Sequence, residues 1–340
     1  MIGFACKYID TPAQITGLKA RDSAKQYNTS STTVTWLAKQ TPEAVDKKLT
    51  ELVLANISAT RKLLYKVSTL PKAQHMLRLS SDILPVYTHP DYSSYYTQLD
   101  VRTLLQRELS KLGEFARANN IKLSFHPGPF CVLASDSSDI VGRSILEFEY
   151  HADIARYMGY GVQFQDFKIN VHIAGRQGPE GIRKALSKLS TEAQNCLTIE
   201  NAEQTWGLEH SLELAKDCAL VLDIHHHFIK TGEYILPTDP RIDQIIDSWR
   251  GVRPTIHYSV SKEDVLDTNE LDKLPELAVL LESGFTRSKL RAHSDFYWNT
   301  AVNDWALTHH SWADIMCEAK AKNLASTELY EYSKLYPPIV

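Results

Sequence analysis

The chain has 340 residues, 43% of them apolar and 23% charged, with Lys plus Arg 37 against Asp plus Glu 41 and a formal charge of −4. That composition excludes a largely disordered chain, and the charge balance excludes a generally basic nucleic-acid coat while leaving a local basic face open. Five scattered cysteines (Cys6, Cys131, Cys196, Cys218, Cys317) form no CxxC pair, which reads as reduced thiols in a cytoplasmic protein, associated with the nucleoid in a prokaryote. No signal peptide is read at the start and no apolar run approaches the roughly 20 residues that cross a bilayer, so neither export nor membrane contact is expected.

Residues 2–6 open the chain as a short apolar strand, and a Ser/Thr-rich stretch over 10–40 predicts a long loop after it. Thr41 and Pro42 are an N-cap and first-turn pair for a helix over 42–67, with Val45, Leu49, Leu52, Val53 and Ile57 on one face. A strand over 76–80 follows, then a helix over 99–119 with Leu105, Leu109, Leu112 and Ala116 at the same spacing. Strands are further predicted over 122–125, 169–172, 196–200, 220–223, 255–257 and 315–318. Helical patterns cover about 139–158, 179–189, 207–217, 240–249 and 274–283 between them. Residues 259–292 form an insertion that carries a helix ahead of His293. Eight strands alternating with helices predict an α/β fold, a (β/α)8 TIM barrel, and barrels of about 250 residues grow longer when loops are inserted. One domain over 1–340 with inserted rim loops therefore explains the length better than two domains.

The informative pattern is at the strand ends. His126, His172, Glu200, Asp223, His257 and Glu318 close the last six strands in turn, at the C-terminal rim where barrel active sites lie. A single such histidine is ordinarily a hydrogen-bonded structural residue. Together, three imidazoles and three carboxylates in one closed mouth would repel and remain unsatisfied without cations between them. The cluster predicts metal, and the mixed His and carboxylate set suits Zn²⁺ or Mn²⁺ better than Ca²⁺ or Mg²⁺. Cys317 lies beside Glu318, but alternation along the strand turns it to the other face, so it is read as packing.

The motifs GFAC at residues 3–6, LRLSSDILP around Ser80-Ser81-Asp82, SFHPG, NVHIAG, TIEN followed by Trp206, the run from Asp223 to His226, IHYS, RAHSDF and CEAK stand in one order along most of the chain. In these it resembles the UV damage endonucleases, a DNA-repair family related in fold to endonuclease IV. The resemblance implies a barrel with up to three divalent ions, Mn²⁺ foremost and Zn²⁺ or Mg²⁺ as alternatives. His126, His172 and Glu200 would hold one. Glu200 would bridge to a second, shared with Asp223, His257 and Glu318, and His226 with His293 would hold a third. His225 and His227 are read as structural, and Asp295 as a group that can orient His293. Glu200, Asp223, His257 and Glu318 would carry the chemistry.

The reaction implied is attack of an activated water on the phosphodiester immediately 5′ of a lesion, with no protein nucleophile. The partner implied is damaged double-stranded DNA, with no protein partner, and a monomer is expected. Phe4, Tyr8, Pro129, Phe130 and Arg176 would meet the DNA or the lesion. Arg143, Arg183, Lys184 and Lys262 are read as solvated charge. The chain departs from the family pattern where Pro129-Phe130 replace a Gln-Tyr pair after HPG, and where Thr255 replaces a Lys two residues before His257. The first departure bears on lesion range and makes an abasic-site endonuclease the nearest rival. The second bears on the third ion. A metal-dependent sugar isomerase is a more distant rival, because such sites are poorer in His and need a Lys base. A degenerate barrel that binds DNA without cutting is opposed by the intact carboxylates.

Overall fold

The computed structural model describes residues 1–11 and 23–336. Eight strands, β1 (Ile2–Ala5), β2 (Met76–Arg78), β3 (Lys122–Phe125), β4 (Lys168–His172), β5 (Leu197–Glu200), β6 (Ala219–Val221), β7 (Thr255–Tyr258) and β8 (Asp314–Cys317), form one sheet. Its order is β6-β5-β4-β3-β2-β1-β8-β7, and every ladder among the described residues is parallel. The sheet curls into a nearly closed (β/α)8 barrel. Between β6 and β7 there is no ladder among the described residues, only an isolated bridge from Asp223 to His257 and a bond from His257 N–H to the Leu222 carbonyl at 3.0 Å.

The predicted helices are present at 42–68, 99–118 and 138–157, and the first is capped as its sequence predicts. Thr41 accepts from the Ala44 N–H with Pro42 in the first turn, and Ser137 accepts from the Ile140 N–H. The long helix Pro42–Ser68 buries Leu49, Leu52, Val53 and Ile57 against the barrel, as their spacing requires. Its buried Asn56 clasps the preceding segment: Oδ1 accepts from Ser30 N–H at 2.8 Å, and Nδ2 donates to the Ser30 carbonyl at 2.9 Å.

The loop expected over 10–40 contains a 3-10 turn at Ser23–Tyr27 and a helix at Val34–Leu37, while residues 12–22 of it lie outside the described residues. The insertion at 259–292 holds a 3-10 segment (Glu263–Thr268) and two short helices (Leu277–Glu282, Arg287–Leu290) before His293. Helices at Thr191–Cys196, Ile224–Thr231, Thr300–Thr308 and Asn323–Leu335 were not among those predicted.

Strand alternation sorts the side chains. Ile2 and Phe4 join the core that packs on the helices, whereas Ala5 clusters with Met76 and Met316. Gly3 shares that inner side: a Cβ there would stand 2.5 Å from the Met76 carbonyl, so no larger residue fits. Phe4 is only 2% exposed. This corrects its expected DNA contact, because the pleat that turns Gly3 and Ala5 inward turns Phe4 away from the mouth. Cys317 is buried in the same core, as its parity required, and all five cysteines are free thiols.

Candidate metal centre at the barrel mouth

Glu200, the last residue of β5, is the hub. It is fully buried, with His257 Nδ1 at 3.1 Å, His126 Nε2 at 3.2 Å, His226 Nδ1 at 3.4 Å and His172 Nδ1 at 3.8 Å from its oxygens. The Asn170 side-chain amide donates to its Oε2, and Thr198 Oγ1 donates to Asn170 Oδ1 at 2.9 Å. These two residues share the inward parity of His172 on β4 and Glu200 on β5, so the lumen carries a hydrogen-bonded stack that aims the carboxylate upward.

The ring tautomers are fixed from outside. His126 Nδ1 donates to the Pro127 carbonyl at 3.0 Å and His293 Nδ1 to the Glu318 carbonyl at 2.9 Å, so each neutral ring keeps its lone pair on Nε2. For His126 that lone pair faces a carboxylate oxygen, an arrangement that calls for a shared cation or proton. The buried Glu200 Oε1, Asp223 Oδ2, His172 Nδ1 and His257 Nδ1 have no hydrogen-bond partner. Unpartnered carboxylate oxygens and ring nitrogens converging from four strands fit a divalent ion with nitrogen and oxygen ligands.

Three groups have ligand atoms close enough to share an ion: His126 with Glu200 and His257, His172 with Glu200 and His226, and Asp223 with His257 and Glu318. His126 and His172 are thus divided between two groups that meet at Glu200. His226 stands with His172 and Glu200, and no group among the described residues includes His293. His226 and His293 both line the groove, His293 bridged to Ser261, while the helix Ile224–Thr231 carries His226 toward Glu200. Asp223 caps that helix, its Oδ1 accepting from His226 N–H at 2.7 Å. Successive helical residues diverge by about 100°. His225 accordingly turns to the Leu290 carbonyl at 3.1 Å and His227 to Glu233 at 2.8 Å, in the structural roles expected for them. Asp295 approaches Lys320 at 3.7 Å, and it is the Glu318 carbonyl that orients His293.

Charges follow from this packing. Burial alone would raise Glu200, but His172, His257 and His126 hold it well below the usual carboxylate range. Burial, with Glu200 and Glu318 nearby, pushes Asp223 up to about 7 against the pull of His226. Burial lowers His172 to about 4. His226 is raised to about 9, its own desolvation being outweighed by Asp223, Glu200 and Glu203.

Arg78 on β2 was not singled out from sequence. Its buried guanidinium lies 2.6 Å from Glu318 Oε1 and donates to His257 Nε2 at 2.9 Å. A lone arginine at the same parity as Met76 in an apolar strand was the available signal. Thr255, at the departure noted above, is buried with an unpartnered Oγ1.

Above the cluster opens a groove of about 940 Å³, whose wall includes Pro129, Arg176, Trp206, Lys262, Arg291 and His293. Gly175 holds φ +101, and a Cβ on it would strike the Ala134 backbone at 2.3 Å, so glycine is needed to seat the loop that presents Arg176. Arg176 meets Asp136 at 3.2 Å and is otherwise in solvent, and Phe130 is 92% exposed. Tyr8 is half-buried against Tyr27, with ring centroids 5.0 Å apart, and does not line the groove.

A parallel barrel with imidazoles and carboxylates gathered at its C-terminal mouth is a fold and site shared by metal-dependent hydrolases and isomerases. Comparison with known proteins narrows this: the chain belongs to the family described as UV-endonuclease UvdE, whose model matches residues 15–337. It is 25% identical over 311 residues to a UV DNA damage endonuclease of Bacillus cereus (strain B4264), covering 88% of this chain and 87% of that protein. It is 28% identical over 277 residues to the UV-damage endonuclease of Schizosaccharomyces pombe, covering 78% of this chain but 41% of that longer protein. The crystal structure of SacUVDE superposes with a TM-score of 0.70 at 20% identity, covering 99% of both chains, and so shares the fold. The family is one of DNA endonucleases, and DNA is the substrate it implies.

Proposed function

We propose that this chain is a divalent-metal-dependent DNA-repair endonuclease that hydrolyses the phosphodiester on the 5′ side of UV photoproducts. The carrying observation is the set of orphaned buried atoms on Glu200, Asp223, His172 and His257 around one mouth. His126, His172, Glu200 and His226, with Asp223, His257 and Glu318, would hold the ions, Mn²⁺ first and Zn²⁺ or Mg²⁺ as alternatives. Bound there, divalent ions supply neutralisation of phosphate charge and acidification of a bound water.

The protein's own contribution is placement. Thr198 and Asn170 orient Glu200, Arg78 fixes Glu318 and the His257 ring, and Asp223 seats the helix that presents His226. Arg176, Lys262 and Arg291 line the groove and would meet phosphates along a bent duplex. Phe130 would stack where damage has already weakened base stacking. The test is a nicking assay on UV-irradiated, depurinated and untreated supercoiled plasmid, with Mn²⁺-loaded protein and an EDTA-treated control. Nicking of irradiated DNA that is lost with EDTA and returns with Mn²⁺ supports the reading. Nicking of depurinated DNA alone favours an abasic-site endonuclease, and nicking of none rejects nuclease activity.

A further inference from the structure

Beyond β8 the chain runs Glu318-Ala319-Lys320-Ala321-Lys322 into the helix Asn323–Leu335. Every turn of this segment is tied down. Glu318 N–H donates to the Tyr258 carbonyl at 2.9 Å, Lys320 N–H to Ser294 at 3.0 Å, Ala321 N–H to Asp295 at 3.0 Å and Lys322 N–H to Ala319 at 3.1 Å. The Asn323 side chain then clasps Ile9, accepting from its N–H at 2.8 Å and donating to its carbonyl at 2.9 Å.

Held in this way, Lys322 adopts φ 51°, ψ −120°. Such a conformation is costly for any residue with a Cβ and persists only where the surroundings enforce it. Glycine holds several positive-φ positions, among them Gly159, Gly161, Gly175 and Gly232, and Cys6, Val86, Asn120, Gln165 and Arg250 hold others. What sets Lys322 apart is where its side chain lies. Lys322 lines the groove together with Glu318 and His293, and its charge feels Cys6 and Glu318 as well as Arg78 and Lys7. Burial pulls its pKa below that of an ordinary lysine. Among the described residues no hydrogen bond or ion pair reaches its ammonium, whereas Lys320, two residues earlier, pairs with Asp295. A largely desolvated ammonium with three donors and no acceptor is poised for an anion that arrives from outside.

We propose that Lys322 is a further catalytic residue, whose ammonium donates to a non-bridging oxygen of the phosphate that is cut. This rests on the endonuclease reading. It assigns to Lys322 a phosphate contact separate from the ligand cluster and from Arg176 and Arg291, with all of which it shares the groove.

The test compares Mn²⁺-loaded wild type with Lys322→Met, Lys322→Arg and Lys322→Gly on a duplex oligonucleotide carrying one photoproduct. It reads kcat and KM separately, with metal content by mass spectrometry. For Lys322→Met the expected result is a fall in kcat of about a hundredfold or more, the size of losing one transition-state donor, with metal content unchanged. Lys322→Arg should recover part of the rate. Lys322→Gly should be as slow as the methionine variant although it removes the backbone strain. A methionine variant with kcat within threefold of wild type, a glycine variant as fast as wild type, or loss of bound metal in step with activity would overturn the assignment. Wild-type activity separates the two readings: if wild type nicks and Lys322→Met nicks equally, only the Lys322 contact fails. If wild type nicks no substrate, the endonuclease reading fails and this one with it.

Discussion

Replacing Glu200 by Gln keeps the shape of the hub and removes its charge. The carboxylate now lies 3.1 to 3.8 Å from ring nitrogens of His257, His126, His226 and His172, so any ion held by those rings is held against it as well. At an effective dielectric of about 20, a unit charge about 4 Å away contributes ~4 kcal/mol per unit of charge on the ion, which is at least about a thousandfold in a dissociation constant. Glu200→Gln should therefore bind Mn²⁺ at least about a thousandfold more weakly, measured by calorimetry and by metal retained after desalting. Nicking of irradiated plasmid at micromolar Mn²⁺ should disappear. Circular dichroism should show the barrel intact, because the amide can still accept from Asn170. A variant that retains Mn²⁺ as tightly as wild type and nicks at the wild-type rate would refute the hub assignment.

Phe130→Ala should weaken binding to damaged duplex by about ten- to a hundredfold, the ~1–3 kcal/mol of one stacked base, and leave the melting temperature unchanged because the ring is in solvent. Equal affinity by fluorescence anisotropy would remove Phe130 from the interface. Arg176→Ala should weaken damaged and undamaged duplexes alike and lower the slope of log K against log salt by about one; an unchanged slope would count against a phosphate contact. Buried His151 donates from Nδ1 to the Glu147 carbonyl at 2.7 Å, takes Ser81 at Nε2 at 2.8 Å, and is lowered by burial to about 4. The unfolded chain binds this proton first, so stability is full above about pH 6.5 and falls as the pH drops toward 4, by roughly 3 kcal/mol. Urea melts should show a smaller loss between pH 7 and 4.5 for His151→Gln than for wild type, and parallel losses would exclude His151 as a source.

The barrel was legible because each buried run ends at a polar residue, and the strand ends fall within a residue or two of those positions. Convergence of His126, His172, Glu200, Asp223, His257 and Glu318 then followed from topology alone, since a closed sheet has one mouth. Which ligands share a group did not follow, because that depends on angle around the barrel axis and on rotamer. The helix Ile224–Thr231 that presents His226 was not legible either, because its run of three histidines carries no helical periodicity of its own. The burial of Phe4 is legible by the same parity that turns Cys317 to the outer face of the sheet. Parity also held the signal for Arg78, Asn170 and Thr198, polar residues on the inner side of strands β2, β4 and β5. Strain at Lys322 was invisible in sequence, since it is imposed by contacts with residues 294–295 and Ile9.

The discontinuity between β6 and β7 ties the architecture to the chemistry. Seven ladders join neighbouring strands, and at the remaining junction the bridge is made by Asp223 and His257, both of them members of one candidate ligand group. An ion held by that pair would act as a clasp across the one unzipped edge of the cylinder. Holding the ion and holding the wall together would then be a single event, so that demetallation loosens the scaffold at the place where the substrate must sit.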